Sequence, residues 1–158
     1  FDTHRLAPGR DLVLGGVVIP HPLGLAGHSD ADAALHALMD ALLGACALGD
    51  IGQHFPDSQA EFKGISSLRL LEQTARILRQ KGFEPWQTDV TIIAQAPRLA
   101  PFIGQMRQNI ARALGIEVDR VSVKATTTEG LGPEGRQEGI SAQASALVMA
   151  LSGDAKLA

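Results

Sequence analysis

The stretch from Ala33 to Leu48 is built almost wholly from Ala, Leu and Met, and it limits the available folds more than any other part of the chain. At helical spacing those residues cover most faces, so the segment reads as a helix that other elements must enclose. His36 and Asp40 interrupt the apolar run, which favours a buried helix over a membrane span. With Asp32 they form its single polar stripe, each four residues from the next and so about one turn away. Ser29, with Asp32 three residues on, predicts the helix start as a variant capping box.

Strand-like and helix-like segments interleave around that helix. Asp11–Pro20 is β-rich, with Gly15-Gly16 placed for a turn or a bulge. A loop rich in Pro, Gly and His follows. Ser66 or Ser67 is expected to cap a second helix carrying Leu68, Leu71, Ala75 and Leu78, with Gly82 as its end. Asp89–Gln95 reads as a strand, Phe102–Leu114 as a third helix stopped by Gly115, and Val118–Ala125 as another strand. A last strand is expected from about Gly139 to Leu151. Within 158 residues this predicts one domain, 1–158, with a mixed sheet covered by helices.

Lys and Arg are scattered singly and the net charge is −3, so the basic stripe of a nucleic-acid binder is missing and nucleic acid is not expected as a partner. Tyr is absent and there is one Trp, which leaves no stacking platform for bases. The lone Cys46 lies in an apolar run and reads as a core residue. No signal peptide or membrane span is visible, and no membrane partner is expected. The chain opens on Phe1 rather than Met, which suggests a natural chain that begins earlier, trimmed here or the back half of a longer polypeptide.

Asp2-Thr3-His4 puts a carboxylate and an imidazole on one face of an extended segment. His36 reads either as a neutral core histidine satisfied by Asp32 or Asp40, or as a metal ligand stacked on Asp32. The two features together favour a zinc-type site with an open position. His28-Ser29-Asp30 opens onto a helix N-terminus that suits phosphate, or serves as a plain capping segment. Lys124–Glu129 ends a strand in hydroxyls and one carboxylate, and Glu129 suits a hard divalent cation bound to phosphates. Arg136 and Glu138 read as an exposed ion pair.

Six motifs occur in order: F-D-x-H at Phe1–His4, L-G-G-V-x-I-P at Leu14–Pro20, H-S-D-x-D-x-A-L-H at His28–His36, A-L-G-D-I-G-x-x-F-P-D at Ala47–Asp57, D-V-T-I-I-A-Q-A-P at Asp89–Pro97 and V-K-A-T-T-T-E at Val123–Glu129. Together they resemble the 2-C-methyl-D-erythritol 2,4-cyclodiphosphate synthase family of the non-mevalonate isoprenoid pathway, over essentially the whole chain.

That resemblance implies an α+β fold with three main helices on one side of a mixed sheet, and three subunits whose sheets form the core of a trimer with active sites between neighbours. It implies a phosphorus–oxygen lyase that converts 4-diphosphocytidyl-2-C-methyl-D-erythritol 2-phosphate into the cyclic diphosphate and CMP. Asp2, His4 and His36 match zinc ligands, which recasts Asp32 as a partner that orients a ligand. Glu129 matches the residue that holds a magnesium or manganese ion with the substrate diphosphate, and His28 and Thr127 match positions that stabilise the transition state. Ser29, Thr126 and Thr128 fall among the substrate contacts. Asp50 and Gly52 match ribose contacts, with Ile51 between them a substrate contact, Phe55, Pro56 and Asp57 match the methylerythritol pocket, and Ala94, Gln95, Ala96, Pro97, Arg98, Leu99 and Ala100 the cytosine loop. Arg136, a substrate contact as well, and Glu138 match a central trimer cavity where isoprenoid diphosphates lodge. The family resides in the bacterial cytoplasm, or the plastid stroma in plants and algae, and in some bacteria it is fused to the preceding cytidylyltransferase. Two other readings stay open: a metal-dependent phosphohydrolase, and a trimeric isoprenoid-diphosphate-binding protein with a structural metal.

Overall fold

Alternation along the last strand sets the layering. In β7 (Gly139–Ala150), Ile140 and Ala142 are fully buried, whereas Gln143, Ser145, Leu147 and Met149 are exposed. The computed structural model describes residues 1–56 and 58–151. β1 (Asp2–Ala7), β4 (Gly24–Leu25), β5 (Phe83–Ile93), β6 (Val121–Thr126) and β7 form one sheet in the order β4-β1-β7-β5-β6. β5 and β6 run parallel, and the other three pairs are antiparallel. The parallel step needs a crossover, which α4 (Ile103–Leu114) supplies.

α1 (Ala33–Ala45), α3 (Ser67–Gln80) and α4 cover the packed face, so the expected mixed sheet with three helices on one side is what the chain forms. α1 lies across β7, β5 and β1. Its Leu35, Leu38, Leu42 and Leu43 are fully buried, each a gain of about 1.5–3 kcal/mol over an exposed side chain. α2 (Ile51–His54) and α5 (Gly132–Gly135) are single turns.

The hairpin of β2 (Leu12–Leu14) and β3 (Val17–Ile19) turns through Gly15-Gly16, both at positive φ. The alternatives of turn and bulge are resolved as a turn. Added Cβ atoms would meet Met106 Cβ at 2.7 Å and Leu68 Cδ1 at 2.3 Å, so the tip wedges between α3 and α4 only as glycine. Asp32 holds it there, accepting the N–H groups of Gly15 at 3.0 Å and Gly16 at 2.7 Å.

Several boundaries move. Asp32, not Ser29, caps α1: its carboxylate accepts Leu35 N–H at 3.1 Å. Ala31 lies in the left-handed region, φ 56°, and turns the chain between Ser29 and the helix. α1 stops at Ala45 rather than Leu48 because Ala47, φ 52°, leaves the helical path. Ser66 precedes α3 but makes no side-chain cap. β5 starts at Phe83, not Asp89. Pro85 is tolerated because β6 pairs only from Thr88 onward, and the register shifts between Pro85 and Gln87. Residues Val118–Arg120 form a 3₁₀ turn ahead of β6, where Arg120 lies 3.2 Å over the Trp86 ring.

Asp32→Ala strips the acceptor from three backbone N–H groups at once. It is expected to cost about 2–4 kcal/mol in urea denaturation, and a loss below about 0.5 kcal/mol would show that the cap and turn do not depend on it.

Candidate functional site

β1 pairs with β7 through Asp2↔Ala142 and His4↔Ile140, which puts Asp2 and His4 on the packed face above α1. His36 reaches the same point from the first turns of α1. His4 Nε2 lies 2.9 Å and His36 Nδ1 3.3 Å from Asp2 Oδ2, and the two nitrogens are 3.1 Å apart. These three residues form a metal-capable group among the described residues.

The outer ring atoms show how the inner ones are charged. His4 Nδ1 lies 2.7 Å from the Ala26 carbonyl, which can only accept, so Nδ1 carries the proton and Nε2 presents a lone pair. His36 Nε2 faces the hydroxyls of Ser29 at 3.2 Å and Ser67 at 3.0 Å, leaving Nδ1 to face Asp2. Asp2 Oδ2 is buried and accepts no hydrogen bond. Ligands about 2.0–2.1 Å from a tetrahedral ion stand roughly 3.3 Å from one another, close to the separations found here. An orphaned buried oxygen facing two imidazole nitrogens fits a divalent cation.

Protons feel the same convergence. Burial alone raises the Asp2 carboxyl, but the adjacent imidazoles of His36 and His4 outweigh it and hold it well below the usual carboxylate range. Asp2 in turn raises His4, against the lowering effect of burial. Asp32 does not orient a ligand as expected. Its oxygens are taken by Gly15, Gly16 and Leu35, and burial pushes its carboxyl up to about 6. At the α1 N-terminus Asp32 caps Leu35 N–H, while His28 and Ser29 of the segment before it face the cavity.

A cavity of about 480 Å³ opens from this centre. Asp2, His4, His28, Ser29 and His36 form its polar end, and Ile51, Gly52, Phe55 and Pro56 line its far wall. Asp50 caps α2, accepting Gln53 N–H at 3.0 Å, and Asp40 holds that turn through Ile51 N–H at 2.8 Å. Asp57 lies outside the described residues. Phe62 and Leu70 also line the wall and were not anticipated. Phe62 meets Phe55 edge-on at 5.6 Å, and an aromatic in an otherwise polar loop was the available signal.

A second cavity, about 430 Å³, lies along Ala94–Ala100 with Thr126 and Thr127. Ala125 and Ile103 join it without having been expected. Thr127 Oγ1 donates to Glu129 Oε1 at 2.9 Å and accepts Glu129 N–H at 3.2 Å, steadying Glu129 at φ 54°. Gln95 Oε1 accepts Gly130 N–H at 3.2 Å, tying the two loops together. Thr128 bonds Leu131 O on the same loop. Arg136 and Glu138 form the exposed pair, 2.6 Å apart, and line neither cavity. The two cavities share no lining residue.

The YgbB family model matches residues 1–149. This chain belongs to the YgbB family. A 2-C-methyl-D-erythritol 2,4-cyclodiphosphate synthase of Syntrophomonas wolfei is 65% identical over 148 residues, 94% of each chain. A solved structure of such a synthase in its CDP-bound form aligns with TM-score 0.85 and 36% identity, over 94% of this chain and 96% of that one. The bifunctional IspDF from Campylobacter jejuni aligns with TM-score 0.91 and 43% identity, and there this YgbB-family chain covers 95% of its own length but 41% of the larger one.

A ligating His4 must be unprotonated, and Asp2 raises the pH at which it sheds its proton. Metal uptake then releases that proton, so affinity is full above the raised titration and weakens as pH falls through it. Followed with zinc as the probe and a competing chelator, affinity should drop by about tenfold per pH unit on the acid side. A flat profile would remove His4 from the centre.

Proposed function

We propose that this chain converts 4-diphosphocytidyl-2-C-methyl-D-erythritol 2-phosphate into 2-C-methyl-D-erythritol 2,4-cyclodiphosphate and CMP, as a phosphorus–oxygen lyase. The observation that carries the reading is a three-residue metal cradle on one cavity together with a separate loop-lined cleft, in a family whose relative binds CDP. Zinc on Asp2, His4 and His36, and magnesium or manganese on Glu129 with the substrate diphosphate, would neutralise the crowded phosphate oxygens.

The chain's own work is positioning. An oxygen of the substrate's 2-phosphate bonds to the β-phosphorus while the bond from that phosphorus to the α-phosphate oxygen breaks, and CMP leaves. No protein nucleophile takes part. Ile51, Phe55 and Pro56 hold the methylerythritol end and keep water off it, while Ala94–Ala100 holds the cytosine and Asp50 and Gly52 the ribose. A substrate gripped at both ends is folded back on itself, so ring closure is intramolecular. His28 and Thr127 donate to oxygens that gain charge.

Both grips must meet, yet in one chain they are separate cavities. A homotrimer packed through the open sheet face, where Leu147 is 60% exposed, sets the first cavity of one subunit against the second of its neighbour. Arg136 and Glu138 then line a central cavity suited to an isoprenoid diphosphate. Among the described residues no helix is long and apolar enough to cross a membrane, and we place the protein in a bacterial cytoplasm, in keeping with its bacterial relatives.

The protein with zinc and magnesium should release CMP and the cyclic product, and linear hydrolysis products alone would refute the cyclase. His36→Ala and Thr127→Ala should each be inactive, and co-assembly in equal amounts should restore about a quarter of wild-type turnover, since a quarter of random interfaces pair two intact cavities. No recovery would place the site within one subunit. Glu129→Gln should raise the magnesium needed for half-maximal rate by about tenfold or more with zinc content unchanged, and an unchanged titration would refute its role.

A further inference from the structure

We infer that Asp30 and Ser67 form a positioning pair that decides which nitrogen of His36 is left to ligate, an inference that rests on the zinc reading above. Asp30 grips Ser67 with both oxygens: Oδ2 accepts Ser67 N–H at 2.9 Å and Oδ1 accepts the Ser67 hydroxyl. A carboxylate only accepts, so the single hydroxyl proton of Ser67 is committed to Asp30. Ser67 Oγ, 3.0 Å from His36 Nε2, is thereby left as an acceptor, and Nε2 must supply the proton. The lone pair of His36 then sits on Nδ1, facing Asp2 and His4.

Ser29 cannot make that choice. Its Oγ lies 3.2 Å from the same Nε2 and accepts Ala31 N–H at 3.1 Å, but its own proton is not committed to an acceptor. With Ser29 alone the ring could hold its proton on either nitrogen. Ser67 is fully buried and His36 is 8% exposed, so water does not compete for these bonds.

The same carboxylate does a second job. Ser66 caps nothing, and Asp30 satisfies the first-turn N–H of α3 from 37 residues away. Asp30 N–H also donates to Ile65 O at 3.2 Å, and Gly64 N–H to His28 O at 2.9 Å, which ties the His28 loop to the start of α3. Helix start, loop and imidazole are thus set by one group.

Zinc-loaded wild type and Ser67→Ala, compared by chelator competition, test the pair. Ser67→Ala should bind zinc about 10–100-fold more weakly while circular dichroism shows the fold intact. Long-range nitrogen–proton spectra of the zinc-loaded wild type should place the His36 proton on Nε2. That measurement needs no variant, and a proton on Nδ1 would overturn the inference. Equal zinc affinity in Ser67→Ala would also overturn it while leaving the zinc reading intact. A wild type that takes up no zinc would remove both.

Discussion

An imidazole inside an apolar helix must have both ring nitrogens satisfied, and the site is organised around that demand. α1 is enclosed by the sheet and by α3, so His36 cannot turn to water. Its outer nitrogen is met by Ser67 and Ser29, and its inner one faces Asp2 and His4 on the strand above, where a cation would satisfy it. Because β1 pairs in fixed register with β7, the strand and the helix deliver their ligands to one point.

The carboxylates near α1 divide the labour by geometry, not by sequence spacing. Asp32 faces the hairpin tip and spends its oxygens on backbone N–H groups. Asp30 faces α3, Asp40 faces α2, and Asp2, on another strand, is left with a buried oxygen for a cation. Desolvation raises the carboxyl of Asp32, whereas the imidazoles beside Asp2 overcome the same burial. Similar acids therefore serve different ends.

The proposed cyclisation asks two separate grips to act on one substrate. The metal-capable trio and the loop of Ala94–Ala100 line different cavities, and alternate residues of β7 are exposed on the sheet's other face. In that proposal metals and backbone would meet the charge of an anionic substrate, so an acidic chain would not need Lys and Arg in quantity.

The amino-acid order alone determined the buried helix, the mixed sheet covered by helices and the stop at Gly115. All of these follow from local periodicity or from a residue's own backbone preference. The metal-capable trio was legible through its motifs, since residue type and order carry that resemblance. Spacing by itself pointed to Asp32 beside His36, because side chains four apart share a helix face but need not point at the same partner. Only the tertiary structure decided that Asp32 serves the hairpin, that Asp30 starts a helix 37 residues later, and that Phe62 and Leu70 wall the cavity. Those roles depend on which distant groups come within hydrogen-bonding or packing distance, and chain order does not encode that locally.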